Sequence, residues 1–427
     1  MLNTVNKSIS SAFICGLAGF LAGLIGWNSG INGFSVLVVL PGFWALSKSR
    51  LSSFFVILFY YLGSSFELFY GADIYFADKR AFNFLIWILY QMILASGWVI
   101  FWKKGMNRFW DIFLRLSLTY LLTIFIPPYA LLGIAHPVTA AGLYFPGMGI
   151  LGMIYFTCLS AFIAFLFIKI KQEYFCHVSS PLLTKITMLI ISVTFIFMSI
   201  LDIDAHSDSE QKSEQTKSRT VIQTEMGNIK KGTIFIKDYE RHLRLKKIAE
   251  QKIRDGYSVI VFPEMIAGKW TDVEQELWAD VQKYAQDHRA VVLLGVQKVI
   301  SSRHYDNAVV VLGDKRLVSK EILKARVPMP LSNWNPFSKL SATLNISREN
   351  NGVIVIADEP TAVLICYEQM LVWPILQSMT SNEKPKTIIT ISNLWWAKDT
   401  EIPKIMENTT KMWGRLFNVP LLRAVNT

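Results

Sequence analysis

Seven apolar segments, at about 11–27, 31–46, 51–70, 83–101, 113–130, 148–168 and 186–201, fill the first 202 residues of this 427-residue chain. A helical crossing of a bilayer core needs about 20 mostly apolar residues. The amino-terminal half is therefore expected to be an α-helical membrane domain of about seven spans. The positive mean hydropathy and the 52% hydrophobic content have their source here. Six more segments follow the first and no small-residue cleavage site is evident, so the first is expected to be retained rather than removed as a secretion signal. Within it Gly16, Gly19, Gly23 and Gly26 recur at helical spacing. Either they admit a second helix at close range or they are the frequent glycines of membrane helices.

Lysine and arginine in the short connections predict orientation. Lys7, Lys48, Arg50, Lys103, Lys104, Arg108, Arg115, Lys169, Lys171 and Lys185 fall on one side, against only Lys79 and Arg80 on the other. This puts the amino terminus in the cytoplasm and, after an odd number of crossings, everything beyond residue 202 outside. The stretch 127–147 is apolar yet broken by Pro127, Pro128, Pro137 and Pro146. It reads as re-entrant or interfacial, because irregular backbone at membrane depth must be buried in protein or line a cavity. His136 within it is a candidate functional group, although a loop histidine is more often structural.

Residues 203–218 are polar and charged, which marks a linker. From 219 to 427 apolar strand runs alternate with amphipathic helices, the pattern of one α/β domain. The helix 238–254 is followed by a strand, S-V-I-V-F, and Thr271 with Glu274 carries a capping-box signature for a helix with Val273, Leu277, Val281 and Tyr284 on one face. A last helix places Ile402, Ile405, Met406, Thr409, Met412, Trp413 and Leu416 on one side.

Cys366 is the one cysteine after residue 202. It ends the apolar run T-A-V-L-I, and a lone cysteine is most often a small core residue. In an oxidising compartment, an unpaired thiol is either well buried or chemically used. Glu264 ends a second strand run, V-F-P-E, and would share an edge with Cys366 if the two strands were parallel neighbours. Partial burial there raises a carboxyl toward the range of a general base. Lys324, with Lys320 as runner-up, is the candidate cation, since an ammonium lowers a thiol's pKa and stabilises an oxyanion.

The order Glu264, Lys324, Cys366, with V-I-Q-T-E, V-F-P-E, I-C-Y-E, I-S-N-L-W-W and R-A-V-N-T around it, resembles the carbon–nitrogen hydrolase (nitrilase) superfamily from about residue 219 onward. Preceded by membrane spans, it is similar to apolipoprotein N-acyltransferases and to conjugal-transfer proteins of the TraB type. The run A-R-V-P-M-P-L-S-N-W-N-P-F and the stop at Thr427 lie nearer the latter. The resemblance implies an αββα sandwich in which Glu264 is the base, Cys366 the acyl-accepting nucleophile and Lys324 part of the oxyanion site. Tyr367 would add a backbone N–H, and Glu368 would orient the lysine or a substrate amine. It also implies a membrane phospholipid as acyl donor, with an amine, a lipoprotein amino terminus or water as acceptor.

No cofactor is expected, the histidines show no metal-ligand spacing, and no phosphate loop is evident. The net charge of +11 lacks the clustered basic and aromatic pattern of a nucleic-acid groove and suits a membrane surface instead. Two other function classes stay open. One is a catalytically weak scaffold for envelope or conjugation-apparatus assembly. The other is a transporter, against which the lack of paired charges in the spans argues.

Overall fold

The computed structural model describes residues 16–76, 79–175, 218–227, 235–335, 337–338 and 340–427. The chain divides into a helical unit, Met1–Asp208 with Thr400–Asn418, and a sheet unit, Ser209–Asp399 with Val419–Thr427. The expected seventh span at 186–201 and the linker, apart from Ser218, lie outside the described residues.

In the helical unit α1 spans Gly16–Asn28, and a 3-10 turn, Ile31–Val39, leads into α2 (Leu40–Leu46). Next come α3 (Arg50–Ser64), α4 (Phe66–Tyr75), α5 (Arg80–Ile100) and α6 (Phe109–Phe125). The short α7 (Tyr129–Leu132) and α8 (Ala141–Tyr144) precede α9 (Gly149–Phe175). Among the described residues only α5 and α9 are each long and apolar enough to cross a membrane, or three spans if α3 and α4, bent by 54°, count as one. Seven spans are thus not seen among the described residues, where the remaining apolar stretches form helices too short for the crossing length of about 20 residues. Their apolar faces still point outward, with Leu51, Leu114 and Leu121 more than half exposed. Together with the long helices this makes the unit membrane-associated.

Two sequence features acquire geometry here. A Cβ on Gly19 or Gly23 would collide with the carbonyl of Val56 or Tyr60, so α1 and α3 meet backbone to backbone where only glycine fits. Residues 133–143 are buried, as broken backbone at membrane depth requires. His136 is a structural member of that segment. Its Nδ1 accepts from the Val138 N–H at 3.2 Å, which leaves Nε2, 3.0 Å from Thr123 Oγ, to carry the proton and donate.

The sheet unit holds two sheets. The first runs β1 (Arg219–Val221), β2 (Val259–Val261), β4 (Val291–Val299), β5 (His304–Gly313), β6 (Ile322–Lys324), with β3 (Lys269–Trp270) beside β4 and β7 (Ser341–Ala342) beside β5. The second has the order β11 (Leu421–Asn426), β10 (Thr387–Asn393), β9 (Glu359–Ile365), β8 (Val353–Ile356). Strand alternation sends every second side chain to each face. Val259, Val261, Leu293, Val309 and Leu323 of one sheet meet Ile354, Val363, Ile365, Ile389 and Ile391 of the other in a single apolar layer. On the far face of the first sheet, Ile260, Val292, Leu294, Ala308 and Val310 pack on α10 (Phe235–Arg254), through Leu245, Ala249 and Ile253, and on α12 (Ala279–Asp287), through Val281 and Ala285. α13 (Val372–Met379) lies on β9.

The capping box forms as read, Glu274 Oε2 accepting from Thr271 N at 2.8 Å. The helix it starts, α11 (Asp272–Leu277), breaks at Trp278, and this leaves Val273 70% exposed rather than on a shared face with Val281. The last helix, α14 (Ile402–Phe417), buries the side expected of it and belongs to the helical unit. It presses on α8 at Gly142, where a Cβ would collide with the Met412 carbonyl, and the Gly147 N–H donates to Arg415 O at 2.8 Å.

Candidate active site

β2 ends at Val261, and Phe262 and Pro263 carry the chain on to Glu264, which is 2% exposed. Met265 then turns with φ 50°. The tight passage depends on Gly295 of the neighbouring strand β4, where a Cβ would collide with Pro263 O and crowd the Glu264 Cα.

The thiol arrives from the other sheet. β9 ends at Ile365, and Cys366, with φ 50°, opens a 3-10 turn to Met370. A non-glycine residue in this region costs roughly 1–3 kcal/mol and persists only where its surroundings impose it. Glu368 imposes it here. Its carboxylate accepts from Ile365 N at 3.1 Å, from the backbone N–H of Arg326 and of Val327, and from the Arg326 Nε and Nη2 at 3.2 and 3.1 Å. Arg326 is fully buried, and its Nη1 donates to Asn351 O, Pro374 O and Ser378 Oγ at 2.9–3.0 Å.

The two arms meet as a hydrogen-bonded pair, the Cys366 thiol donating to the Glu264 carboxylate. Burial pushes the thiol well above its ordinary pKa, and the Glu264 charge and hydrogen bond push it further; backbone N–H groups of Asn393 and Tyr367 aimed at the sulfur pull the other way. Both carboxylate oxygens are held: Oε1 accepts from Asn307 Nδ2 at 2.7 Å, and Oε2 from Asn393 N at 2.9 Å. The pair is a thiol donating to a carboxylate whose two oxygens are both held.

Of the residues singled out in the sequence, Glu264, Cys366, Tyr367 and Glu368 come together. They do so across two facing sheets and not as neighbours in one, because β2 and β9 belong to different sheets. Glu368 orients Arg326 and three backbone N–H groups rather than a lysine. Lys324 is not brought to the pair. It lies opposite Ala308 in the β5–β6 ladder, on the helix-facing side, while Leu323 and Ala325 face the inner layer. Its Nζ pairs with Asp306 Oδ2 at 2.7 Å. Burial alone would raise the Asp306 carboxyl, yet bonds from Lys324, Thr343 and Asn345 outweigh it and hold that carboxyl below its usual value. Lys320 is elsewhere again, 3.3 Å from Asn351 Oδ1. Sequence reading missed Asn307, Arg326 and Asn393. The one available signal was Asn307 itself, a polar residue at the head of the otherwise apolar run N-A-V-V-V-L. Among the described residues no cluster of three or more His, Cys, Asp or Glu side chains could hold a metal ion.

The paired carboxylate and thiol, with the motif order around them, resemble the carbon–nitrogen hydrolase superfamily. Over nearly its whole length the chain is similar to two proteins from conjugation systems. It is 26% identical over 416 residues to "Probable conjugal transfer protein TraB" of Sinorhizobium fredii, covering 96% of this chain and 97% of that one. It is 27% identical over 419 residues to "Conjugal transfer protein TraB" of Agrobacterium fabrum, covering 94% and 89%. No protein-family model matches. Among solved structures, an amidase from Nesterenkonia overlaps 49% of this chain and 74% of its own at 9% identity and a TM-score of 0.34. A carbon–nitrogen hydrolase from Helicobacter pylori overlaps 49% and 73% at 12% identity and a TM-score of 0.35. Overlaps of that size define no fold by themselves, and the layering described above rests on the strand order and the shared apolar layer.

Proposed function

We propose that this chain is a membrane-bound enzyme of the conjugation machinery that works through an acyl-thioester on Cys366. The observation that carries this reading is the buried thiol hydrogen-bonded to a carboxylate whose two oxygens are already fixed. Glu264 takes the thiol proton and the sulfur attacks a carbonyl carbon. The backbone N–H of Tyr367, aimed at the sulfur beforehand, is then available to the charge that develops on oxygen. The S–C bond forms, the bond to the leaving group breaks, and the leaving group departs with the proton Glu264 carried. An amine or water, deprotonated by Glu264, then releases the acyl group and restores the thiol.

The acyl donor is a phospholipid ester or a carboxamide, and the acceptor is an amine, a lipoprotein amino terminus or water. The membrane-associated helices and the similarity to proteins named for conjugal transfer support a site in the bacterial inner membrane, with the sheet unit on the periplasmic side. A second reading, a scaffold with little catalysis, is favoured by the placement of Lys324 on the far face of its strand.

Intact-protein mass spectrometry of the purified full chain, after incubation with phospholipid vesicles or with short aliphatic amides, tests this. A hydroxylamine-sensitive acyl adduct on the wild type and none on Cys366→Ala is expected. No adduct with either donor, or the same adduct on both proteins, overturns the enzymatic reading in favour of the scaffold.

A further inference from the structure

Asn307 occupies the inward row of β5, 1% exposed, directly opposite Gln297 of β4 on the same face. A carboxylate can only accept hydrogen bonds, so the amide nitrogen must face Glu264 Oε1, 2.7 Å away, and the orientation of the amide follows from its partner. Its carbonyl oxygen is then turned elsewhere, buried and without a partner among the described residues. Buried carbonyl groups are seldom left so, because losing the bond costs about 1–3 kcal/mol. The adjacent Asp306 makes the contrast. Its carboxylate, on the other face of the same strand, is met by Lys324, Thr343 and Asn345.

We propose that Asn307 is a positioning residue that holds the Glu264 carboxylate against Cys366. This rests on the reading of Glu264 and Cys366 as base and nucleophile. A bond from a neutral donor favours the charged carboxylate, and it leaves Glu264 only one way to turn. The charged groups around the pair are otherwise committed: Arg326 to Glu368, and Lys324 to Asp306 on the opposite face.

The test is the pH profile of Cys366 alkylation by iodoacetamide in the detergent-solubilised full chain, read by intact mass for wild type, Glu264→Gln, Asn307→Ala and the isosteric Asn307→Asp. In Asn307→Ala the limb governed by Glu264 should move up by about one pH unit, the size expected when a charged group loses one good hydrogen bond. In Asn307→Asp the second carboxylate should move it further in the same direction. Asn307→Asp preserves shape, so it carries the test if the alanine variant does not fold, and an asparagine that only fills space would leave the Asn307→Ala profile on that of the wild type. Profiles for both Asn307 variants that superpose on the wild type overturn the inference while the Glu264 reading stands. A Glu264→Gln profile identical to the wild type shows the pair to be uncoupled, and both fall.

Discussion

The helical unit and the sheet unit bury polar groups by opposite means. In the helical unit the deep polar contacts are neutral: Trp27 Nε1 donates to Tyr60 Oη at 2.9 Å, Tyr60 Oη to Ala135 O at 2.7 Å, and Trp44 and Trp102 donate to backbone carbonyls at 3.0 Å. Helices approach through glycine. In the sheet unit the deep contacts include charged groups, with Glu264, Glu368, Arg326 and Asp306 all at most 2% exposed. A unit in contact with lipid gains little from a buried charge and loses much if its partner moves. A unit with a reactive turn to hold can use charge to fix it. The difference predicts where each unit is fragile: the sheet unit to the loss of a charge, the helical unit to the gain of a methyl group.

The largest effect should come from Glu264→Gln. Removing a positioned base typically costs about 10²–10⁴-fold in rate, and thioester formation by the purified chain should fall by that order. The sign of the pH effect is a separate check. The carboxylate raises the thiol's pKa, so the thiolate-dependent limb of iodoacetamide alkylation should move to lower pH in the variant although catalysis is lost. A limb that stays in place would show that the carboxylate does not act on the thiol.

Arg326→Ala should come next. It strands the Glu368 carboxylate in the core, and breaking a buried pair by removing one partner costs about 3–5 kcal/mol. A lower thermal midpoint of the solubilised protein, together with faster proteolysis at the 366–370 turn, would register the loss. Replacing Glu368 along with Arg326 should not restore stability in full, because the N–H groups of Arg326, Val327 and Ile365 would then lose their acceptor. Full recovery in the double variant would mean that the ionic contact alone mattered.

What could be read from the sequence follows the same division. Glu264 and Cys366 were legible because an apolar strand run followed at once by a polar residue marks a strand end, and strand ends are where α/β folds gather side chains. The buried side of α14 was legible from its helical period. That β2 and β9 lie in different sheets was not, since neither run carries any mark of its pairing partner. Lys324 shows the sharper limit: a strand has period two, so a one-residue difference in register exchanges inner and outer faces. No local pattern tells whether Leu323 or Lys324 points inward. Arg326 gave no signal because its partner is 42 residues away in the sequence. Among the described residues fewer helices reach spanning length than the apolar stretches suggested, because apolar composition persists through breaks such as Pro127–Pro128, where helical geometry does not.

In the helical unit the corresponding weak point is Gly142. An alanine there would drive its Cβ into the Met412 backbone, and overpacking of this kind typically costs about 1–3 kcal/mol. Thermal midpoint and protease access to α14 should report it. If Gly142→Ala behaves like the wild type, close backbone approach is not what holds α14 in its unit.

The smallest effect is expected from Lys324→Ala, and it divides the two readings of the site most cleanly. The Lys324 side chain is 45% exposed on its side of the pair with Asp306, and exposed ion pairs contribute about 0–1 kcal/mol. Asp306 keeps Thr343 and Asn345 as donors, so its buried carboxylate is not abandoned. The thermal midpoint should fall by no more than a few degrees, and the pH profile of Cys366 alkylation should coincide with that of the wild type, because the lysine side chain leaves the strand on the face away from the thiol. A profile displaced to higher pH in Lys324→Ala would mean that the ammonium reaches Cys366 during the reaction, in a register one residue removed from the one described. Leu323, now directed into the inner layer, would then have to turn outward.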